Sequence, residues 1–283
     1  MLRFFFRNPL ALFGTVILIS FVLIGILAPY LVPYDPMETL YIDGKLARSL
    51  PPSRLYLFGT THFGRDVLSQ VIIGTRVALI VGSMAAIFLT FIGTNIGLIA
   101  GYFGGRIDNV LMRITDIAFG IPFIPFAILL ISLLGPSISN IIITISALLW
   151  RTTARVIRSQ ALSIRERPYI TAARVSGGGH LRIMYVHILP NVLPMSFLYI
   201  ALGIALATLF EASLSFLGFG DPRMISWGQM LYYAFITGST RTAWWTVIPP
   251  GFCIALFVIA AFAIGQAYEQ LVNPRLRGRG QPF

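Results

Sequence analysis

The chain has 283 residues, of which 57% are hydrophobic, 13% aromatic and only 11% charged, with a formal net charge of +11. A soluble domain carries roughly 25% charged residues to cover its surface, and a chain of this size has too much surface to cover with fewer. Most of this surface therefore faces lipid. Lys45 is the only lysine among 21 basic residues, and the arginines gather at the ends of apolar runs rather than along an amphipathic stripe. That placement fits membrane orientation and argues against nucleic-acid binding. The N-terminal stretch MLRFFFRNPLALFGTVILIS has the basic start and apolar run of a signal peptide, but the run from 10 to 32 is too long for one, and Pro29 follows Ala28, the one plausible cleavage position. It reads as a retained first span.

A bilayer-crossing helix needs about 20 mostly apolar residues. Charge-free runs cover residues 8–34, 77–105, 117–150, 183–210 and 242–268. The third run, as one helix, would reach about 51 Å against a hydrocarbon core of about 30 Å, so it has to turn. Gly135-Pro136-Ser137 supplies the break. The pattern predicts six spans, at about 10–32, 77–102, 117–134, 138–154, 190–217 and 244–268. The fold class is all-α, a polytopic membrane protein. Residues 1–76 form an N-terminal span and outer segment, and residues 77–283 a five-span core with a loop at about 155–190. Six spans put both termini on one side; if that side is the cytoplasm, 14 Lys and Arg lie inside and 7 outside.

Within the spans, Gly93, Gly97 and Gly101 recur every four residues on one helix face, where another backbone can approach closely or a pore can be lined. Glu211 is the acidic residue placed well inside a predicted span, where a carboxylate is costly; it is either a hydrogen-bonded structural group or part of the path or gate. Asp108 and Asp116 lie near Arg106 and Arg113, a pattern of interface ion pairs with proton relay as the alternative. Gly64-Arg65-Asp66 with Arg76 either brace the outer segment by ion pairs or meet an extracytoplasmic binding protein, and the same two readings apply to Asp221, Arg223 and Trp227. Cys253 is alone, which excludes an intrachain disulfide, and His62, His180 and His187 have no carboxylate or cysteine partners at ligand spacing, so no metal site is expected.

The loop YITAARVSGGGHLRIMYVHILPN, residues 169–191, is charged and glycine-rich between apolar runs. Pro168 suits the first turn of a helix and Gly177 its C-terminal cap, which predicts a helix of about nine residues, roughly 13 Å long. Tyr169, Ala172, Ala173 and Ser176 fall on one small, nearly flat face, suited to docking. A second short helix is expected from about Leu181 to Pro190. The competing reading is a membrane-surface helix with its arginines on lipid headgroups, against which the alanines in place of large apolar anchors count. A phosphate-binding loop needs Lys followed by Ser or Thr, yet Lys45 is followed by Leu46, so the chain does not supply that motif and any ATP power would have to come from a partner.

The order A-A-R-x-x-G followed by H-I-L-P-N resembles the cytoplasmic loop of permease subunits in binding-protein-dependent ABC importers. The whole chain resembles the dipeptide/oligopeptide/nickel permease family in its second, shorter type. The resemblance rests on FGTTHFGRDVLSQVIIGTR (58–76), GYFGGRIDNVLMRITDI (101–117), the loop, EASLSFLGFG (211–220), SWG (226–228), AWW (243–245) and NPRLR (273–277). It implies a coupling helix seated on a cytosolic ATPase through Tyr169, Thr171, Ala172, Ala173, Arg174 and Gly177, with Thr171 where the family usually has an acid. It further implies a subunit without enzymatic activity, in a bacterial or archaeal cytoplasmic membrane, that imports peptides or similar small solutes by alternating access. The partners implied are a homologous permease, two ATPase subunits or domains that hold ATP and Mg, an extracytoplasmic solute-binding protein and the lipid bilayer, with no nucleic acid and no cofactor on this chain. The rival class is an ion- or proton-coupled secondary carrier, for which Glu211 would be the coupling acid.

Overall fold

The structure is a computed structural model and describes residues 8–272. The terminal arginines counted in the charge bias and the NPRLR motif lie outside the described residues. Helix α1 (Pro9–Leu31) opens on Asn8, whose side chain accepts from Leu10 N at 3.0 Å, with Pro9 in the first turn. Its buried residues, Ala11, Gly14, Phe21, Gly25 and Ala28, form one narrow stripe, and the remaining faces are largely open. After it, β1 (Tyr41–Ile42) and β2 (Lys45–Leu46) form a small antiparallel hairpin around Asp43 and Gly44, both at positive φ.

Helix α2 (Val67–Phe103) is 37 residues long, about 55 Å, and starts on Asp66, whose carboxylate accepts from Ser69 N and Ser69 Oγ, both at 2.7 Å. Two expectations are corrected here. The helix begins ten residues before the predicted onset at 77, because Arg76 sits exposed on its surface instead of ending it. Asp66 is a helix cap, not half of an ion pair, and among the described residues neither Arg65 nor Arg76 is ion-paired.

Helix α3 (Gly105–Gly120) and helix α4 (Phe123–Leu134) meet at 92° across Ile121 and Pro122. The predicted straight span 117–134 is therefore a bent pair. Pro122 disfavours helical geometry at Ile121, which is extended (φ −81, ψ 118). The expected turn at Gly135-Pro136-Ser137 is present, with Gly135 at φ 88 and Ser137 accepting from Asn140 N at 3.2 Å. It leads into α5 (Ile138–Arg165), which runs 28 residues, eleven beyond its predicted end at 154. Short α6 (Pro168–Val175) follows. Next, α7 (His180–Arg182), a π-helical stretch (Ile183–Ile188) and α8 (Leu189–Leu214) join without a break.

Pro190 thus does not end a helix as expected. The Leu189 N–H bonds back to Met184 O, five residues away, and this wider turn makes room for the proline ring. A second π-helical stretch (Ser215–Phe219), α9 (Trp227–Ile236), α10 (Ser239–Thr242), a 3-10 turn (Trp244–Thr246) and α11 (Ile248–Val272) complete the chain. Five of these helical stretches are long and apolar enough to cross a membrane, or six if the bent pair α3–α4 counts as one span.

The bundle centres on α2, which packs against α5 and α8. A Cβ on Gly93 would lie 2.6 Å from Trp150 O and one on Gly101 2.6 Å from Ala161 Cβ, so the glycine row is a packing seam with α5. At the hairpin end, Trp227 Nε1 donates to Val71 O at 2.9 Å and Trp245 Nε1 to Thr60 O at 3.1 Å. Phe21, Trp227 and Phe257 pack edge to face beside them, at 5.3–6.1 Å between ring centroids. Trp227 is therefore a buried strut and is not available to a partner.

Candidate functional site: the α6 loop

Helix α6 is held by local chemistry at both ends. Pro168 fills the first turn, where its missing N–H is no loss. At the C-terminus Gly177 takes φ +80, Gly178 N donates to Ala173 O at 2.9 Å and Gly177 N to Arg174 O at 3.0 Å. This pair of bonds is the Schellman arrangement, and the left-handed residue it needs is most readily glycine. Gly178 is required as well, since a Cβ there would lie 2.7 Å from Ala173 O.

Only two side chains of α6 turn toward the body. Ile170 is fully buried and Ala173 half-buried, in a cluster with Leu98 and Tyr102 of α2, Ile164 of α5 and Ile183, Met184 and Ile188. Tyr169, Thr171, Ala172, Arg174 and Gly177 are exposed, as proposed from the sequence. Ala173 departs from the expected flat face because it shares the inward side with Ile170, three residues away. Two residues were missed. Ile170 is the anchor, and Val175, 84% exposed, is the most prominent apolar group on the outer face. The sequence signal for both was the three-residue spacing of Ala172 to Val175 and of Ile170 to Ala173.

Side chains from three elements fix the loop against the end of α2. Tyr102 Oη lies 2.8 Å from His180 Nδ1, and the Arg174 guanidinium carbon stands 5.5 Å from the Tyr102 ring centroid. Arg165 donates to Gly101 O at 3.2 Å and Tyr102 O at 3.4 Å and pairs with Glu166 at 2.8 Å. Tyr102, Phe103, Arg165, Glu166, Arg174 and His180 border an open pocket of about 440 Å³ beside α6.

Glu211 lies far from this loop in sequence and is 3% exposed. Its carboxylate accepts from Ser215 Oγ at 2.7 Å and from the Ser226 hydroxyl, which itself accepts from Gln229 N at 3.2 Å. The acid thus ties the end of α8 to the cap of α9, where Gly228 packs on Ala212 with no room for a Cβ. Nearby, Asp221 is held below the usual carboxylate range by the Arg223 guanidinium and by the Arg223 and Ile138 backbone N–H groups, against the opposing effect of burial.

Asp108 and Asp116 are ion-paired, but with Arg158 and Arg155 of α5, not with Arg106 and Arg113. Helical spacing on α3 alone could not reveal partners that arrive from another span.

Comparison with known proteins agrees with this architecture. The family described as binding-protein-dependent transport system inner membrane component matches residues 93–278, and that described as the N-terminal TM domain of oligopeptide transport permease C matches residues 1–52. The dipeptide transport system permease protein of Haemophilus influenzae is 35% identical over 281 residues, 97% of this chain and 93% of that one. Its counterpart in Alkalihalophilus pseudofirmus is 38% identical over 274 residues, 96% and 88% of the two chains. The oligopeptide transport system permease protein of H. influenzae is 35% identical over 277 residues, covering 97% and 88%. These matches favour a transport subunit of this type over a secondary carrier. With its apolar helices and the glycine-capped loop in place, the chain belongs to the dipeptide and oligopeptide permease family of ABC importers, as a multi-pass inner-membrane component of a binding-protein-dependent transport system.

Proposed function

We propose that α6 is the coupling helix through which a separate ATPase drives this permease, and that the solute is a peptide or a similar small molecule. The observation that carries the reading is the seating of α6: one fully buried side chain and a glycine cap fix it, while its remaining faces, apart from Ala173 and from Arg174 over the Tyr102 ring, stand free for a partner. The relatives that transport dipeptides and oligopeptides supply the substrate class. In this reading residues 1–76 are an N-terminal unit and 77–283 the core, a division by role, since α2 crosses it unbroken. The loop and both termini face the cytoplasm. A homologous permease completes the passage, two ATPase subunits or domains hold ATP and Mg, and an extracytoplasmic binding protein delivers the solute. ATP-driven approach of the two ATPases moves the coupling helices and reorients the paired bundles, which is alternating access. This chain performs no covalent chemistry.

Ala172→Arg tests the docking. Ala172 is exposed, so the substitution leaves the chain's own packing intact and adds bulk where close contact is required. Uptake is expected to be lost with membrane insertion unchanged, while Thr171→Glu, on the same open surface, is tolerated. Normal uptake with Ala172→Arg sinks the assignment. Lost uptake with the ATPase still co-purifying places the defect after docking.

A further inference from the structure

Helix α5 carries Arg151, Arg155 and Arg158 at four- and three-residue spacing, on one face, and all three guanidinium groups reach α3. Arg158 grips Asp108 with two bonds, Nε to Oδ1 at 2.5 Å and NH2 to Oδ2 at 2.6 Å, and the acid's side chain is only 10% exposed. Arg155 NH2 reaches Asp116 Oδ1 at 2.8 Å, in the open. Among the described residues, Arg151 pairs with no carboxylate. Its NH1 donates instead to the carbonyls of Ala118 and Ile121, the latter at 3.3 Å, and its guanidinium carbon lies 5.0 Å from the Phe119 ring centroid, with that of Arg155 at 4.1 Å.

The Arg151 contact falls on the break. The last carbonyls of a helix are short of intrahelical donors: Ala118 O has the Ile121 N–H at 3.4 Å, and Pro122 brings no N–H to the turn that follows Ile121. Arg151 NH1 serves both acceptors while the planar guanidinium also lies over the Phe119 ring, a face contact that a compact ammonium makes less well. At its other end, α5 stops at Arg165 and passes through Glu166 and Arg167 directly into α6. Fourteen residues of continuous helix, about 21 Å, separate the break from the loop. Nothing else on α3 offers a comparable tether: of its charged residues, Arg106 and Arg113 are unpaired among the described residues. A half-buried pair thus grips one end of α3 and a carbonyl clamp the other, which ties α3 and the α3–α4 corner to α5.

We propose that Arg151, Arg155 and Arg158 are positioning residues that clip α3 and the α3–α4 break to α5, so that a displacement of α6 reorients the bent span. The proposal rests on the reading of α6 as the coupling helix. Spatial adjacency is not coupling, so the test measures coupling itself.

The full complex, permease pair with its ATPases and binding protein, is reconstituted in liposomes, and solute uptake is measured per ATP hydrolysed. Asp108→Arg and Arg158→Asp, made singly, are expected to lower that ratio at least tenfold with hydrolysis retained, and the double swap to bring it back to within about threefold of the parent. Arg151→Gln is expected to lower the ratio at least fivefold and Arg151→Lys to fall between Gln and the parent. Arg151→Gln leaves the Asp108 pair intact and decides the matter if the single charge reversals assemble poorly. A parental ratio in Arg151→Gln overturns the proposal, as does a well-assembled double swap that stays uncoupled. Failure of the coupling-helix reading looks different: Ala172→Arg then takes up solute normally, whatever the arginine variants do.

Discussion

Ile170→Ala isolates the anchor of α6. Ile170 is the helix's one fully buried side chain, and an eight-residue helix has little stability of its own in water. Truncating a buried isoleucine to alanine costs about 2–5 kcal/mol, and Ile170→Val about 0.5–1.5 kcal/mol. At the lower bound, about 2 kcal/mol multiplies the local opening equilibrium about thirtyfold. The amides of Ser176, Gly177 and Gly178, tied to Ala172 O, Arg174 O and Ala173 O, report that opening by hydrogen exchange. Their exchange is expected to quicken at least thirtyfold in Ile170→Ala and about two- to thirteenfold in Ile170→Val, with the hairpin-end amides unchanged. Uptake should fall in the same order, parent, Val, Ala, because a partner then has to reorder the helix before pushing on it. Unaltered exchange in Ile170→Ala refutes the anchoring argument. Quickened exchange with full uptake refutes the claim that the seat of α6 matters to transport.

The remaining predictions concern the acids and the topology. Glu211→Gln is expected to keep assembly and most uptake, since the amide oxygen still accepts from Ser215, whereas Glu211→Leu strands two buried hydroxyls at about 1–3 kcal/mol each and should lower the melting temperature of the complex in detergent; complete loss of uptake in a normally assembled Gln variant would instead favour a charged role in the path. The Asp221 carboxyl is depressed by Arg223, so its contribution to stability is fully present above the ordinary value of about 3.9 and is lost as pH falls through the folded value. Melting curves between pH 2 and pH 5 should therefore show a steeper acid loss in the parent than in Asp221→Asn, and parallel curves would contradict it. In a Cys253→Ala background, Ser53→Cys should react with an impermeant thiol reagent in intact cells and Ser163→Cys should not; both residues are exposed in the fold, and the reverse pattern inverts the proposed orientation.

What the sequence made legible follows from which forces act locally. The α6 loop was readable because proline at a helix start and glycine at its end obey rules that involve only near neighbours. The direction in which α6 faces was not, since Ile170 turns inward only because α2 and the π-helical stretch bring Leu98, Ile183 and Ile188 beneath it. Apolar runs located the spans, yet charges misplaced their ends: Arg76 rides exposed on α2, and Arg151, Arg155 and Arg158 continue α5 because α3 supplies their partners. The 92° break lies within an unbroken apolar run, where Gly120, Pro122 and Pro125 were its local signs. A charge inside a span therefore marks a helix end only when no neighbour satisfies it. Here the arginines that seemed to end α5 hold the corner of the adjoining span, which makes the apparent interruption of the apolar pattern a record of tertiary contact between α5 and α3.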